Sequence, residues 1–360
     1  MSSSIPGISI PHGHICDGVH VKPISVELPI ELVLEILEIA AASSHLSAAA
    51  ISRVSSWARK LALPCLFETL LYPVITLNEI NWTSGQYFTK PYIPRHLPGP
   101  SIPLPHHVGH HVRNLWVERG NRGSPMDEIN LFDICPDVEH LAIQSSSIGA
   151  LYTTCRAGSR FPCSVRRITM ITPSPRYEIH VLDGLRLANG SLFLHNITHL
   201  HMLDLRMSTY VPYDRLPNLT HLAVPYLDLG ANIAQEPLRT PNGVLDHPPL
   251  KMLVLTVDEA KYMGNSWYHT PRLYANGAPM AEFTSPRASF SFFMRQACEK
   301  DKRVHVVLYP RQGETHRADW KAAARGGESI WQKASQAMAD EQYPTLLPEI
   351  YHEKVLRRIG

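Results

Sequence analysis

Six short stretches share one pattern: an apolar residue, two others, a Leu-type residue, one more, and a second apolar residue. They are VRNLWV from Val112, VEHLAI from Val138, VRRITM from Val165, ITHLHM from Ile197, LTHLAV from Leu219 and LKMLVL from Leu250. Their central residues, Leu115, Leu141, Ile168, Leu200, Leu222 and Leu253, recur at intervals of roughly 22 to 32 residues, the span of one strand and its return in a stacked array. Period-two alternation sends the two Leu-type positions of each stretch to one side and their neighbours to the other. The expectation is a row of short parallel strands with one buried face. The first return carries its own helix signal, with Ser124 as cap, Pro125 at the first position and Ile129, Phe132 and Cys135 at helical steps.

A helical unit precedes the array, from Val26 to Leu71. After Pro29, Leu32, Val33, Ile36, Leu37, Ile39 and Ala40 recur at helical spacing, with Glu31, Glu35 and Glu38 opposite. Ser43 to His45 break that helix. A second helix is expected to carry Ala48, Ile51, Val54, Ala58 and Leu61 inward, and a third to start at Leu63-Pro64. About 45 residues of short helices bury too little surface to be comfortable alone, so the unit borrows core from a neighbour or a partner.

This unit resembles an F-box, in the variant common in fungal proteins. The matching residues are Leu28-Pro29, Glu31-Leu32, Ile36-Leu37, Val54-Ser55 and Leu61-Ala62-Leu63-Pro64 before Leu66-Phe67. The resemblance implies docking onto the small Skp-family adaptor of cullin-RING (SCF-type) ubiquitin ligases, through a face including Leu28, Pro29, Leu32, Ile36 and Val54. One position departs from the family: the large apolar residue four after the Val is Ala58 here, and Trp57 lies one residue earlier. A plain helical hairpin capping a neighbouring domain is the alternative.

The six stretches resemble a degenerate leucine-rich repeat. Cys135-Pro136 and Leu216-Pro217 keep that family's lead-in, while the spacing is irregular and the usual Asn after the strand is missing. A box followed by such repeats is a recurring family architecture; an unrelated α/β fold with crossover helices is the alternative. The fold expected is therefore α/β: a short helical F-box-like unit, then an irregular leucine-rich-repeat-like solenoid with parallel strands. The expected divisions are a disordered lead-in over 1–23, the helical domain over 24–72, a proline-rich linker over 73–111, the repeats over 112–310 and a helical C-terminal cap or tail over 311–360. Pro91 to Pro105 packs six prolines into fifteen residues, which excludes a helix or central strand there. Val74 to Leu77 offers a candidate first strand and Val304 to Tyr309 a last one. Asp258 to Pro286 has no period and is expected to be a loop. Helices are expected over 288–299, 328–340 and 346–358, the last two closing the open end of the array.

The net charge of +2 recruits neither nucleic acid nor anionic membrane. The N-terminus has no signal-peptide pattern, no window approaches a membrane span, and six scattered cysteines without CxxC spacing suit a reducing, cytoplasmic or nuclear compartment. No P-loop, GxGxxG, GxSxG or HExxH signature occurs, so neither an enzyme nor a cofactor is expected. The His pairs of PHHVGHHV, from Pro105, are taken as loop histidines rather than metal ligands.

The function these features imply is a non-enzymatic substrate-recognition subunit of a ubiquitin ligase, its box holding the adaptor and its repeats an unknown protein target. A scaffold that has lost adaptor binding, and an α/β enzyme on residues 112–310, are the other readings. The target face is expected on the outward strand positions, where Trp116, His140, His199, His201 and His221 would stand exposed and charge near pH 6.5.

Overall fold

The computed structural model describes residues 28–72, 106–118, 125–156, 164–171, 179–187, 189–204, 213–226, 240–241, 243–264, 286–309 and 313–339. The lead-in, Val74 to Leu77, the proline-rich stretch, Ser124 and the helix expected over 346–358 lie outside them. Three helices open the described chain: α1 (Ile30–Ser43), α2 (His45–Ile51) and α3 (Ser56–Phe67). Pro29 stands just before α1 and its carbonyl accepts from the N–H of Leu32 at 3.0 Å. Ser44 caps α2 through Ser47 N–H, and Ser55 caps α3 through Ala58 N–H at 3.1 Å. That second cap corrects the sequence expectation: the helix does not run on to Leu61, Val54 sits in the exposed turn before Ser55, and Pro64 lies inside α3. Ala41, Ala48, Ile51, Ala58, Ala62 and Leu66 form the small core of this unit.

Eight strands follow: β1 (Thr69–Tyr72), β2 (Asn114–Val117), β3 (His140–Ile143), β4 (Arg167–Met170), β5 (His199–Met202), β6 (His221–Pro225), β7 (Met252–Asp258) and β8 (Val304–Tyr309). They form one sheet in the order β1 to β8, every pair parallel. The chain is thus an α/β protein. Its first strand was not expected where it lies: β1 begins two residues after α3, so the sheet starts before the proline-rich stretch, which connects β1 to β2. Nothing in TLLY distinguishes this strand from the end of a helix, and its pairing with β2 decides it.

Registers align Leu70, Leu115, Leu141, Ile168, Leu200, Leu222, Leu253 and Val304 in one unbroken row, and all are buried. Parallel neighbours need crossovers of a dozen residues or more. Here these are α4 (His106–Gly109), α5 (Pro125–Ile134), α6 (Ile148–Arg156), several 3-10 turns, α7 (Glu259–Gly264) and α8 (Pro286–Lys300). Parallel crossovers take one hand as a rule, and the strand order never reverses, which puts the described returns on the side of the Leu row. Phe132, Ile148, Leu151, Phe193, Phe290 and Ala297 from these returns join the Leu row in one core. Side chains just before three of the strands bond carbonyls of the preceding segment: Ser164 to Val138, Asn218 to His195, and Arg303 to Leu245. Gly109 is fixed by packing, since a Cβ there would collide with the Ile134 carbonyl. Tyr262 of α7 is buried, so part of the expected 258–286 loop is a packed helix.

The opposite face of the sheet is covered by α9 (Gly313–Ala324) and α10 (Ile330–Ala339). Trp320, Ile330 and Ala334 from these helices pack on Trp116, Ala142, Ala223 and Val254 from the strands. This revises the expected position of the C-terminal helices, which lie across the sheet rather than at its end. A parallel sheet with returns on one side leaves the other side's backbone and apolar rows bare, and such sheets are found covered on both faces.

Candidate interaction surfaces

The first surface belongs to the helical unit. Along α1 the buried or half-buried residues Val33, Leu34, Leu37, Ala40 and Ala41 face α2 and α3, while Glu31, Glu35 and Glu38 are in water. At about 100° per residue, Leu32, Ile36 and Ile39 fall on a third stripe, beyond the inner one. They are exposed, Leu32 at 45% and Ile36 at 53%. The sequence pattern merged these stripes into one apolar face; the structure separates a face used internally from a face left open. Leu28 and Pro29 precede that stripe and are exposed as well, and Val54, at 69%, stands on the turn before α3. Among the described residues every large apolar side chain that is strongly exposed lies between Leu28 and Trp57. Trp57 itself is among them, whereas Ala58 is fully buried inside the unit.

The second surface is the sheet face beneath α9 and α10. The registers bring Thr69, Asn114, His140, Arg167, His199, His221 and Met252 into one row. A second row is Leu71, Trp116, Ala142, Thr169, His201, Ala223, Val254 and His305. The histidines therefore do cluster: His199 and His221 stack with ring centroids 4.2 Å apart. The expected exposure is corrected. Trp116 is 1% exposed and His201 8%, while His140, His199 and His221 are half-buried.

Two tryptophans from the covering helices lie against this cluster. Trp320 meets Trp116 edge-on at 5.4 Å, and its indole N–H donates to His140 Nε2 at 2.8 Å. Thr169 Oγ1, itself buried, stands 3.1 Å from the same nitrogen. Trp331 sets its edge against His199 and His221, each at 5.4 Å. Burial, first of all, pushes the His140 and His201 imidazoles down to about 3 and His199 to about 4. The neighbouring cations add to it, Arg167 and His201 for His140, His316 for His201, and His221 for His199. His221 is lowered too, by burial and then Lys251. A cavity of about 60 Å³ remains between sheet and helices, lined in part by Arg167, His199, Trp320 and Trp331.

Sequence reasoning missed α9 altogether. Its signal was there: His316 and Trp320 are one helical turn apart and both are buried. A second signal lay in the strands, whose supposedly outward positions hold Trp116, Ala142, Ala223, Met252 and Val254, an apolar run typical of a sheet buried on both faces. His107, His110 and His111 fall in and beside α4, and His110 faces Asp137 at 3.4 Å. Among the described residues no group of three or more His, Cys, Asp or Glu is placed to hold a metal, and no helix is long and apolar enough to cross a membrane. Set against known proteins, the chain matches no protein-family model and no curated protein.

Proposed function

We propose that this protein is a substrate-recognition subunit of a cullin-RING ubiquitin ligase, with an F-box-like unit that docks a Skp-family adaptor and a leucine-rich-repeat-like array that carries a protein target. The observation that carries this reading is the open apolar stripe of α1, continued at Leu28, Pro29 and Val54, in a chain whose described large apolar side chains beyond Trp57 are all buried or half-buried. Exposed apolar area of that kind marks a binding site rather than a solvated surface. The resemblance of Leu28 to Phe67 to an F-box names the partner. Catalysis then belongs to other subunits, in the cytoplasm or nucleus. With the sheet face covered by α9 and α10, target recognition falls to the array's edges and connections.

A scaffold without adaptor binding is the second reading. It is favoured by Ala58, which sits in the unit's own core where the family carries a large residue. Co-expression with a Skp-family adaptor separates the two. The wild type retains the adaptor through purification, and the Leu32→Asp, Ile36→Asp double variant loses it, because interface energy concentrates in a few anchors of about 2 kcal/mol or more each. A wild type that never retains the adaptor establishes the scaffold.

A further inference from the structure

The segment formed by α9 and α10 closes over the sheet through an acceptor that acid removes. Indole N–H is a donor only, so His140 Nε2 must carry a lone pair for the 2.8 Å bond from Trp320 to exist. Protonating that nitrogen sets one N–H against another. The neighbouring histidines are held through the other ring nitrogen. Thr198 and Thr220 donate their hydroxyls to the carbonyls of Arg166 and Thr198, so they accept from Nδ1–H of His199 and His221 at 2.9 and 2.8 Å. Those two bonds survive protonation, but the rings are stacked on each other, where two positive charges would repel, and Trp331 caps both. His201 is buried with its Nε2 unbonded among the described residues, beside Tyr309 and Trp331.

We propose that α9 and α10 form a strap that is closed over the histidine face near neutral pH and released, with the sheet itself intact, on mild acidification. The charged groups around the cluster are of both signs, with cations in the majority. From the strands come Arg167, with Lys251 beside β7, and from β8 come His305 and Tyr309. From the strap come His316, Arg317, Asp319, Lys333 and, lining the cavity, Glu328. Arg317 is paired with Glu118 at 2.5 Å and Asp319 with Lys333 at 3.5 Å, which leaves Glu328, exposed at the cavity, as the carboxylate there without a cation. His305 differs from His140, since its Nδ1 donates to the Ala334 carbonyl and keeps that bond when protonated.

The sign follows from the neutral state being the bound one. Above about pH 6.5 the imidazoles are neutral with the strap open or closed, and closure is unaffected. Below it the open form takes up protons that the closed form refuses, so each such histidine disfavours closure by up to about tenfold per pH unit. The effect continues until the closed-state values, about 3 for His140 and about 4 for His199, are reached. The strap is released well before that.

The inference stands whether or not the helical unit binds an adaptor. It is tested on the full chain by hydrogen exchange with mass spectrometry, corrected for intrinsic rates, at about pH 7.5 and about pH 5. Peptides within 313–339 are expected to lose at least about tenfold of their protection at the lower pH while β3 to β7 keep theirs. His140→Gln, whose carbonyl oxygen accepts from Trp320 at either pH, is expected to lose clearly less. Unchanged strap protection at the lower pH overturns the proposal, as does loss of protection by strap and strands together, or a His140→Gln variant that opens as wild type does. Should His140→Gln already lack strap protection near neutrality, Trp320→Phe decides: it lacks the N–H, so its strap is looser at neutral pH and less pH-dependent, and a full wild-type pH response refutes the proposal.

Discussion

The molecule carries two apolar faces that its first packing layer does not cover, and it treats them oppositely. On the helical unit, Leu32, Ile36 and Ile39 stay in water. On the sheet, Trp116, Ala142, Ala223 and Val254 are covered by a segment from the other end of the chain. The sheet face includes small residues, Ala142 and Ala223, on which a helix can lie closely. The α1 stripe is made of large side chains flanked by glutamates, Glu31, Glu35 and Glu38, which keep an open apolar face hydrated. A face filled in cis contributes to stability; a face left open does not.

Substitutions that exchange those roles break the comparison. The largest effect is expected from Leu32→Asp with Ile36→Asp, which abolishes adaptor retention while the denaturation midpoint barely moves, since both side chains are already exposed. A large drop in midpoint would make the stripe part of the fold instead. Next comes Trp320→Ala, which truncates one of the strap's two tryptophans and removes the donor to His140; a loss of about 3–5 kcal/mol in urea denaturation is expected. A loss below about 1 kcal/mol would mean that the strap rests on the sheet without adding to it. The comparison is sharpened by a matched pair of truncations. Leu222→Ala, in the fully buried row, should cost about 2–5 kcal/mol, and Leu46→Ala, exposed at 83%, less than about 0.5 kcal/mol. Similar costs for the two would show that something covers Leu46. Smallest of the full set of core and cap effects is Ser55→Ala, which removes the cap of α3 and should cost about 1 kcal/mol, read from the same denaturation curves.

Much of the sheet was legible because its signal is local and repeated. Leu115, Leu141, Ile168, Leu200, Leu222 and Leu253 occupy the same place in each unit, and period-two alternation fixes the face they share. The registers that followed from this placed His199 beside His221 and His140 beside Arg167, as the structure has them. The breaks in the helical unit were half legible. Ser44 was recognisable as a cap, whereas Ser55 lay hidden in a stretch whose apolar spacing also suits one continuous helix. Strand β1 was not legible, because four residues of TLLY become a strand only through pairing with Asn114 to Val117 across the proline-rich stretch.

By itself, then, the sequence determined where β2 to β8 run and which of their sides holds the Leu row, since backbone geometry ties alternate positions to opposite faces. It also set the apolar residues of α1 opposite its glutamates, without dividing the face used internally from the face left open. Only the tertiary structure decided which of the remaining apolar faces is open. The residues that cover Trp116 and His140 come from 313–339, some 200 positions away, and no local pattern in either segment refers to the other. Such a contact is selected by shape, by one indole donor meeting one imidazole lone pair, and by the cost of leaving a parallel sheet bare on one side; none of these exists until the strands have stacked.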